Sequence, residues 1–144
     1  MALVYFDSSA FVKLVAEEDG SDLAADLWDG CDAAVSSRLA YPEVRAALAA
    51  ARRSHQMRDR EADMAERDWE EFWAAIRPVE LTGSVEQHAG HLARAYALRG
   101  ADAVHLASAL AIGTPEVVVA AWDRRLRDGV VATGLPIAPA PTRT

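Results

Sequence analysis

Apolar and polar residues recur along this chain in two periods, one suited to strands and one to helices. Leu3 to Phe6 is a short apolar run of strand type that stops on Asp7. SSAFVKLVAEED then switches to helical spacing, with Phe11, Leu14 and Val15 on one face. Gly20 breaks that helix, and SDLAADLWDG offers Leu23, Leu27 and Trp28 as the apolar face of a second. AAVSS, from Ala33, predicts another strand. A longer helix is expected from about Leu39, with Tyr41, Val44, Leu48 and Ala51 facing inward. The charged stretch Met57 to Ile76 aligns Ala65, Trp69, Phe72 and Ile76, which predicts one more helix with those side chains in a core or interface.

Pro78 is expected to end that helix, with VELT behind it as a strand. SVEQHAGHLARAYALRG follows as a helix closed by Gly100 in the left-handed conformation. ADAVHLASALAIG gives the next helix. Val117 to Ala121 is the strongest strand signal in the chain and runs into Asp123, which would open a short helix. LPIAP supplies a last strand, and the tail after Pro139 is expected to be loose. Strands alternating with helices predict an α/β sandwich with a mostly parallel central sheet flanked by helices. The length of 144 residues suits one domain over 1–139, with 140–144 as the tail.

Composition narrows the class. With 51% hydrophobic and 26% charged residues, the chain is neither disordered nor fibrous. Its one cysteine, Cys31, cannot form an internal disulfide, and no signal-like opening is present, which points to a reducing cytoplasm. Asp7 and Lys13 interrupt the apolar N-terminal stretch, so no membrane span is expected there. A net charge of −7 argues at first against a polyanionic partner, but carboxylates gathered to hold cations enter the same count. Arg52, Arg53, Arg58 and Arg60 could grip phosphates, although a solvated helix end explains them better when taken alone.

Two strands ending on carboxylates are the first sign of chemistry, because parallel sheets bind ligands outside the carboxyl ends of their strands. The plain alternative is that Asp7 and Asp123 merely cap the helices that follow. Glu43 has Ala40 before it and Ala47 after it on its helix face, so it would lie in a shallow trough or simply face solvent. Asp102 opens its helix, where the dipole favours an acid and capping again competes with function. His105 lies one turn past Asp102 on the same side; it could position that acid or a water, while a hydrogen-bonded core histidine is the plainer reading. His88 and His91 lack the companions of a zinc site, the serines lack a nucleophile elbow, and the glycines form no phosphate cradle.

Four blocks together say more than any residue alone. VYFDSSAFVKL, YPEV, RGADAVHLASAL, and AAWDRRL followed by GLPIAP, in that order and spacing, resemble the PIN-domain ribonucleases, and among them the VapC-type toxins of bacterial toxin–antitoxin pairs. The resemblance covers nearly the whole chain. It implies a PIN-like three-layer sandwich with Asp7, Glu43, Asp102 and Asp123 as the catalytic, metal-holding quartet, and Ser9 steadying the metal–water shell. It implies Mg²⁺ or Mn²⁺ as cofactor, and endoribonuclease cleavage by a metal-activated water that leaves 5′-phosphate and 3′-hydroxyl ends. A homodimer and a cognate antitoxin are implied as well, the latter lying over the early helices where Phe11, Leu14, Leu27 and Trp28 could form a groove. This chain departs from its relatives at Ala121, where many carry Thr or Ser two residues before the last Asp.

The chemistry agrees with such a quartet. Bare carboxylates would repel an anionic phosphodiester, and hard oxygen ligands select Mg²⁺ or Mn²⁺ to stand between them. Two unit charges about 4 Å apart interact by roughly 4 kcal/mol at an effective dielectric near 20, so one acid at least should hold a proton without metal. Two other readings stay open. A haloacid-dehalogenase-like phosphatase would need a second acid two residues after Asp7, where this chain has Ser9. A catalytically silent PIN-like interaction module would be expected to lack a quartet acid, and all four are present.

Overall fold

The computed structural model describes residues 2–141. In chain order the elements are β1 (Leu3–Phe6), α1 (Ser8–Val15), α2 (Ser21–Gly30), β2 (Ala33–Ser37), α3 (Ala40–Arg53), α4 (Asp59–Ala75), β3 (Arg77–Val79), α5 (Gly83–Tyr96), α6 (Gly100–Ala111), β4 (Val118–Ala120), α7 (Arg124–Ala132) and β5 (Ile137–Ala138). The five strands form one sheet in the order β3-β2-β1-β4-β5, and every pairing is parallel. Among the described residues no helix is long and apolar enough to cross a membrane.

The strand alternation builds two cores. Tyr5, Val35, Val117 and Val119 point to one face and meet Val85, Ala89, Leu92, Leu106, Leu126 and Val130 from α5, α6 and α7. Val4, Phe6, Ala34 and Ala120 point to the other and meet Phe11, Val44, Leu48 and Trp69 from α1, α3 and α4. A sheet covered on both faces needs runs with no polar positions, which is why β1 and β4 read as unbroken apolar stretches. The three layers expected from the sequence are therefore present.

Several boundaries differ from expectation. The first helix ends at Val15, short of the acidic EED, because Ala16 is already extended. Helix α4 starts at Asp59 and ends at Ala75, ahead of Pro78; that proline lies inside β3, where an edge strand tolerates a missing N–H. The strand placed at VELT is thus shifted, and Thr82 instead caps α5 by accepting the Val85 N–H. Gly100 does not stop α5. Ala97 takes the left-handed conformation (φ 53°), and the next residue, Leu98, donates its N–H to Ala93 O at 3.1 Å while its side chain is buried. That buried leucine fixes where the turn falls, and Gly100 is left as the first residue of α6. Residues 142–144 of the expected loose tail lie outside the described residues.

The chain lays β2 and β3 on one side of β1 and then crosses to lay β4 and β5 on the other. The order therefore reverses between β1 and β4, the place where an open parallel sheet leaves a crevice at its carboxyl edge. Phe6 is in register with Ala120, and the Asp7 N–H donates to Ala120 O at 3.3 Å. Asp7 and the chain leading to Asp123 are neighbours for that reason.

Candidate active site at the carboxyl edge

Asp7 closes β1 and caps α1. Its Oδ1 accepts the Ala10 N–H at 2.8 Å and the Ser9 hydroxyl at 2.7 Å, and the residue is only 3% exposed. Its Oδ2 accepts nothing from the described residues, yet it is not among the sealed side-chain atoms that lack a partner. Burial raises the Asp7 pKa above the ordinary aspartate value and the charge of Asp102 adds to the rise, while His105, Ser9 and Ala10 pull it back.

Asp102 is the third residue of α6, and Arg99 holds the N-cap position, so Asp102 does not cap as the sequence suggested. It lies half-buried in the first turn, where the helix dipole still favours its charge. Burial raises its pKa, and the charges of Asp123 and Glu43 raise it further against the pull of His105 and Arg99. The charge of Asp102 thus bears on Asp7, and the charges of Asp123 and Glu43 bear on Asp102.

Asp123 caps α7 by accepting the Leu126 N–H on Oδ1 at 3.1 Å. Ala121 offers no side-chain hydroxyl and is anchored through its main chain. The Ala121 N–H donates to Ala138 O at 3.0 Å, and its carbonyl accepts Arg127 Nη1 at 2.8 Å. Arg127 Nη2 also donates to Pro139 O at 2.7 Å, so one guanidinium fastens the turn carrying Asp123 to the chain behind β5.

Glu43 sits half-buried in the first turn of α3, with Oε1 2.6 Å from His105 Nε2. His105 is buried at 2% exposure, and its Nδ1 lies 2.7 Å from Tyr5 Oη, which also accepts the Ser37 N–H at 3.1 Å. His105 is thus the hydrogen-bonded core histidine of the plainer reading, and the acid it touches is Glu43, not Asp102. Tyr5 escaped the sequence reading. The available signal was a tyrosine in a fully buried strand, whose hydroxyl must find a partner inside.

Among the described residues no group of three or more His, Cys, Asp or Glu side chains stands ready to hold a metal ion. Asp7, Glu43 and Asp123 each commit one carboxylate oxygen to a partner and keep the other. The donors nevertheless fit a hard divalent cation. They are all carboxylate oxygens, and the charges of neighbouring acids add to the rise that burial gives Asp7 and Asp102. Mg²⁺ keeps several waters and takes one or two carboxylates, so it needs no closed cage.

One peripheral expectation is corrected. Phe11 is fully buried and stacked on Phe6, so it cannot line an open groove. Leu14 and Trp28 do line one, with Asp68, Glu71, Phe72 and Ala75 of α4. The arginine group agrees with the helix-end reading preferred from the sequence: Arg52 pairs with Asp59 and Asp63, and Arg58 with Glu61.

Comparison with known proteins bears on this arrangement. The model of the PIN domain family matches residues 4–129. Ribonuclease VapC45 of Mycobacterium tuberculosis (strain CDC 1551 / Oshkosh) is 73% identical over 140 residues, covering 97% of each chain. Among solved structures, VapBC2 from Rickettsia felis bound to a DNA fragment from their promoter is similar with a TM-score of 0.65 at 8% identity, over 94% of this chain and 96% of that one. A toxin–antitoxin complex from Klebsiella pneumoniae gives 0.58 at 18% identity, over 85% and 87%. At those identities the two structures speak for the fold alone.

Proposed function

The chain belongs to the PIN domain family, and from that membership we propose that it is a divalent-metal-dependent endoribonuclease, the toxin of a toxin–antitoxin pair working in the cytoplasm. The observation that carries this reading is the 73% identity to Ribonuclease VapC45 along 97% of both chains. The charge of Asp102 acting on Asp7, and the charges of Asp123 and Glu43 acting on Asp102, support the assignment of those residues.

In this reading Asp7 and Asp102, with Asp123 and Glu43 beside them, hold Mg²⁺ or Mn²⁺. When bound, the ion offsets the charge of the RNA phosphate and makes a water more acidic. Asp7 offers Oδ2, because Oδ1 is engaged by Ser9 and Ala10. Ser9 and the Ala10 N–H keep that carboxylate from turning away. Glu43 offers Oε2, because Oε1 is engaged by His105. Arg99 brings a positive charge to the rim beside Asp102. The RNA strand is cut to leave 5′-phosphate and 3′-hydroxyl ends. The antitoxin is assigned to the groove of Leu14, Trp28 and Phe72, whose flanking Asp68 and Glu71 suit an apolar segment with basic neighbours. A second copy of the chain completes a homodimer.

The test is incubation of the purified chain with cellular RNA in Mn²⁺, Mg²⁺ or EDTA, followed by mapping of the new 5′-phosphate ends. Cleavage with either ion and none in EDTA is expected. The ion should also stabilise the fold by about 2.7 kcal/mol at a hundredfold excess over its dissociation constant, and Asp102→Ala should remove that gain. Cleavage that persists undiminished in EDTA would refute the metal assignment.

A further inference from the structure

We propose that His105 and Tyr5 form a tether that positions Glu43 at the sheet edge, making both of them positioning residues for the reaction. This rests on the ribonuclease reading of the same site. Asp7 and Asp123 are held by main-chain N–H groups of their own helices. Glu43 has no such local partner. Helix α3 carries no side-chain cap, and the one hydrogen bond of the Glu43 carboxylate among the described residues comes from His105. A glutamate so placed would sample several rotamers and give up entropy each time it was needed.

The tether is built in two joints. Contact between a carboxylate and His105 Nε2 at 2.6 Å requires a hydrogen on that nitrogen, whichever state Nδ1 is in. Tyr5 Oη at 2.7 Å from Nδ1 stops the ring from flipping, and the Ser37 N–H fixes Tyr5 Oη in turn. The two rings meet edge to face, with centroids 5.8 Å apart and an interplanar angle of 78°. Both are buried, Tyr5 completely and His105 to 2% exposure. Packing alone would be served as well by leucine and phenylalanine, and an incomplete polar network there would be costly. This network is complete, and it reaches from β2 through β1 and α6 to α3.

The metal-free full chain offers a direct readout. The His105 Nε2 hydrogen is expected as a slowly exchanging, downfield NMR resonance that Glu43→Ala abolishes. Three variants then separate tethering from packing. His105→Gln keeps an N–H near the ε position, His105→Met keeps the volume without a donor, and Tyr5→Phe keeps the ring without the hydroxyl. His105→Met should lower kcat on RNA and weaken Mn²⁺ binding, measured without RNA, by about 10- to 100-fold, as loss of an outer-shell partner does. His105→Gln should recover most of both, and Tyr5→Phe should fall between. Equal behaviour of the Met and Gln variants, or absence of the resonance from the wild-type protein, would overturn the proposal. Should the wild-type chain cut no RNA, the ribonuclease reading fails, while the resonance and Mn²⁺ affinity still judge the tether.

Discussion

The ends of β1 and β4 lie side by side in the sheet and follow one plan with different outcomes. Each strand runs into an aspartate whose Oδ1 accepts the N–H of the residue three positions on, Ala10 at 2.8 Å and Leu126 at 3.1 Å. At the β1 end, Ser9 adds a hydroxyl and the surrounding elements bury the carboxylate. At the β4 end, the corresponding position is Arg125, exposed, and Asp123 remains half-buried. Burial is what raises the Asp7 pKa. The comparison shows that a cap engages one of a carboxylate's two oxygens and so is compatible with a second role for the other. A fold can therefore fix an acid by local backbone chemistry and still present it to a ligand.

Charge removal should separate the two ends most strongly. Asp7→Asn and Asp123→Asn both keep a side-chain oxygen for the cap. Asp7→Asn is expected to slow RNA cleavage by about 10³-fold or more, in line with several kcal/mol of lost charge stabilisation. It should melt at the same temperature or higher, because a buried charge is gone. Asp123→Asn should cost about tenfold less. Single-turnover rates in matched Mg²⁺ decide the order, and a larger loss at Asp123 would reverse it.

The pH dependence of stability without metal sharpens the same contrast. A raised carboxyl pKa means that the folded state binds a proton which the unfolded state releases. The contribution to stability is then complete below the unfolded value, about 3.9, and is lost as pH rises through the folded value. Urea unfolding in EDTA should show the wild-type chain losing stability relative to Asp7→Asn across that window. A constant difference between the two would contradict the buried, raised Asp7. The smallest expected effects concern the residues two positions on. Ser9→Ala should cost about 1 kcal/mol in the same assay, and Arg125→Ala less than about 0.5 kcal/mol.

Much of this was legible in the sequence because it is local. The strands leading to Asp7 and Asp123, and the helix faces of Val44, Leu48, Ala65 and Trp69, follow from spacing within one element. What depended on contacts distant in sequence was not legible. The end of α5 is set by the burial of Leu98, so a glycine nearby misled. Phe11 looked free to join a groove because nothing in its own helix reveals that Trp69 and Phe6 enclose it. His105 meets Glu43 across 62 positions and Tyr5 across 100, and no periodicity links them. The quartet itself was visible only as a family pattern, since each acid alone is explained by capping or solvent exposure.

Arg127 gives the molecule a mechanical asymmetry. By gripping the carbonyls of Ala121 and Pro139, it couples the turn that aims Asp123 to the strand exit. An affinity handle appended beyond Pro139 is therefore expected to disturb the Asp123 turn through that guanidinium. Ala2 instead is pinned to Asp32 ahead of β2, at the opposite end of the strands. A fusion partner joined there pulls against the blunt edge of the sheet and leaves the acids undisturbed.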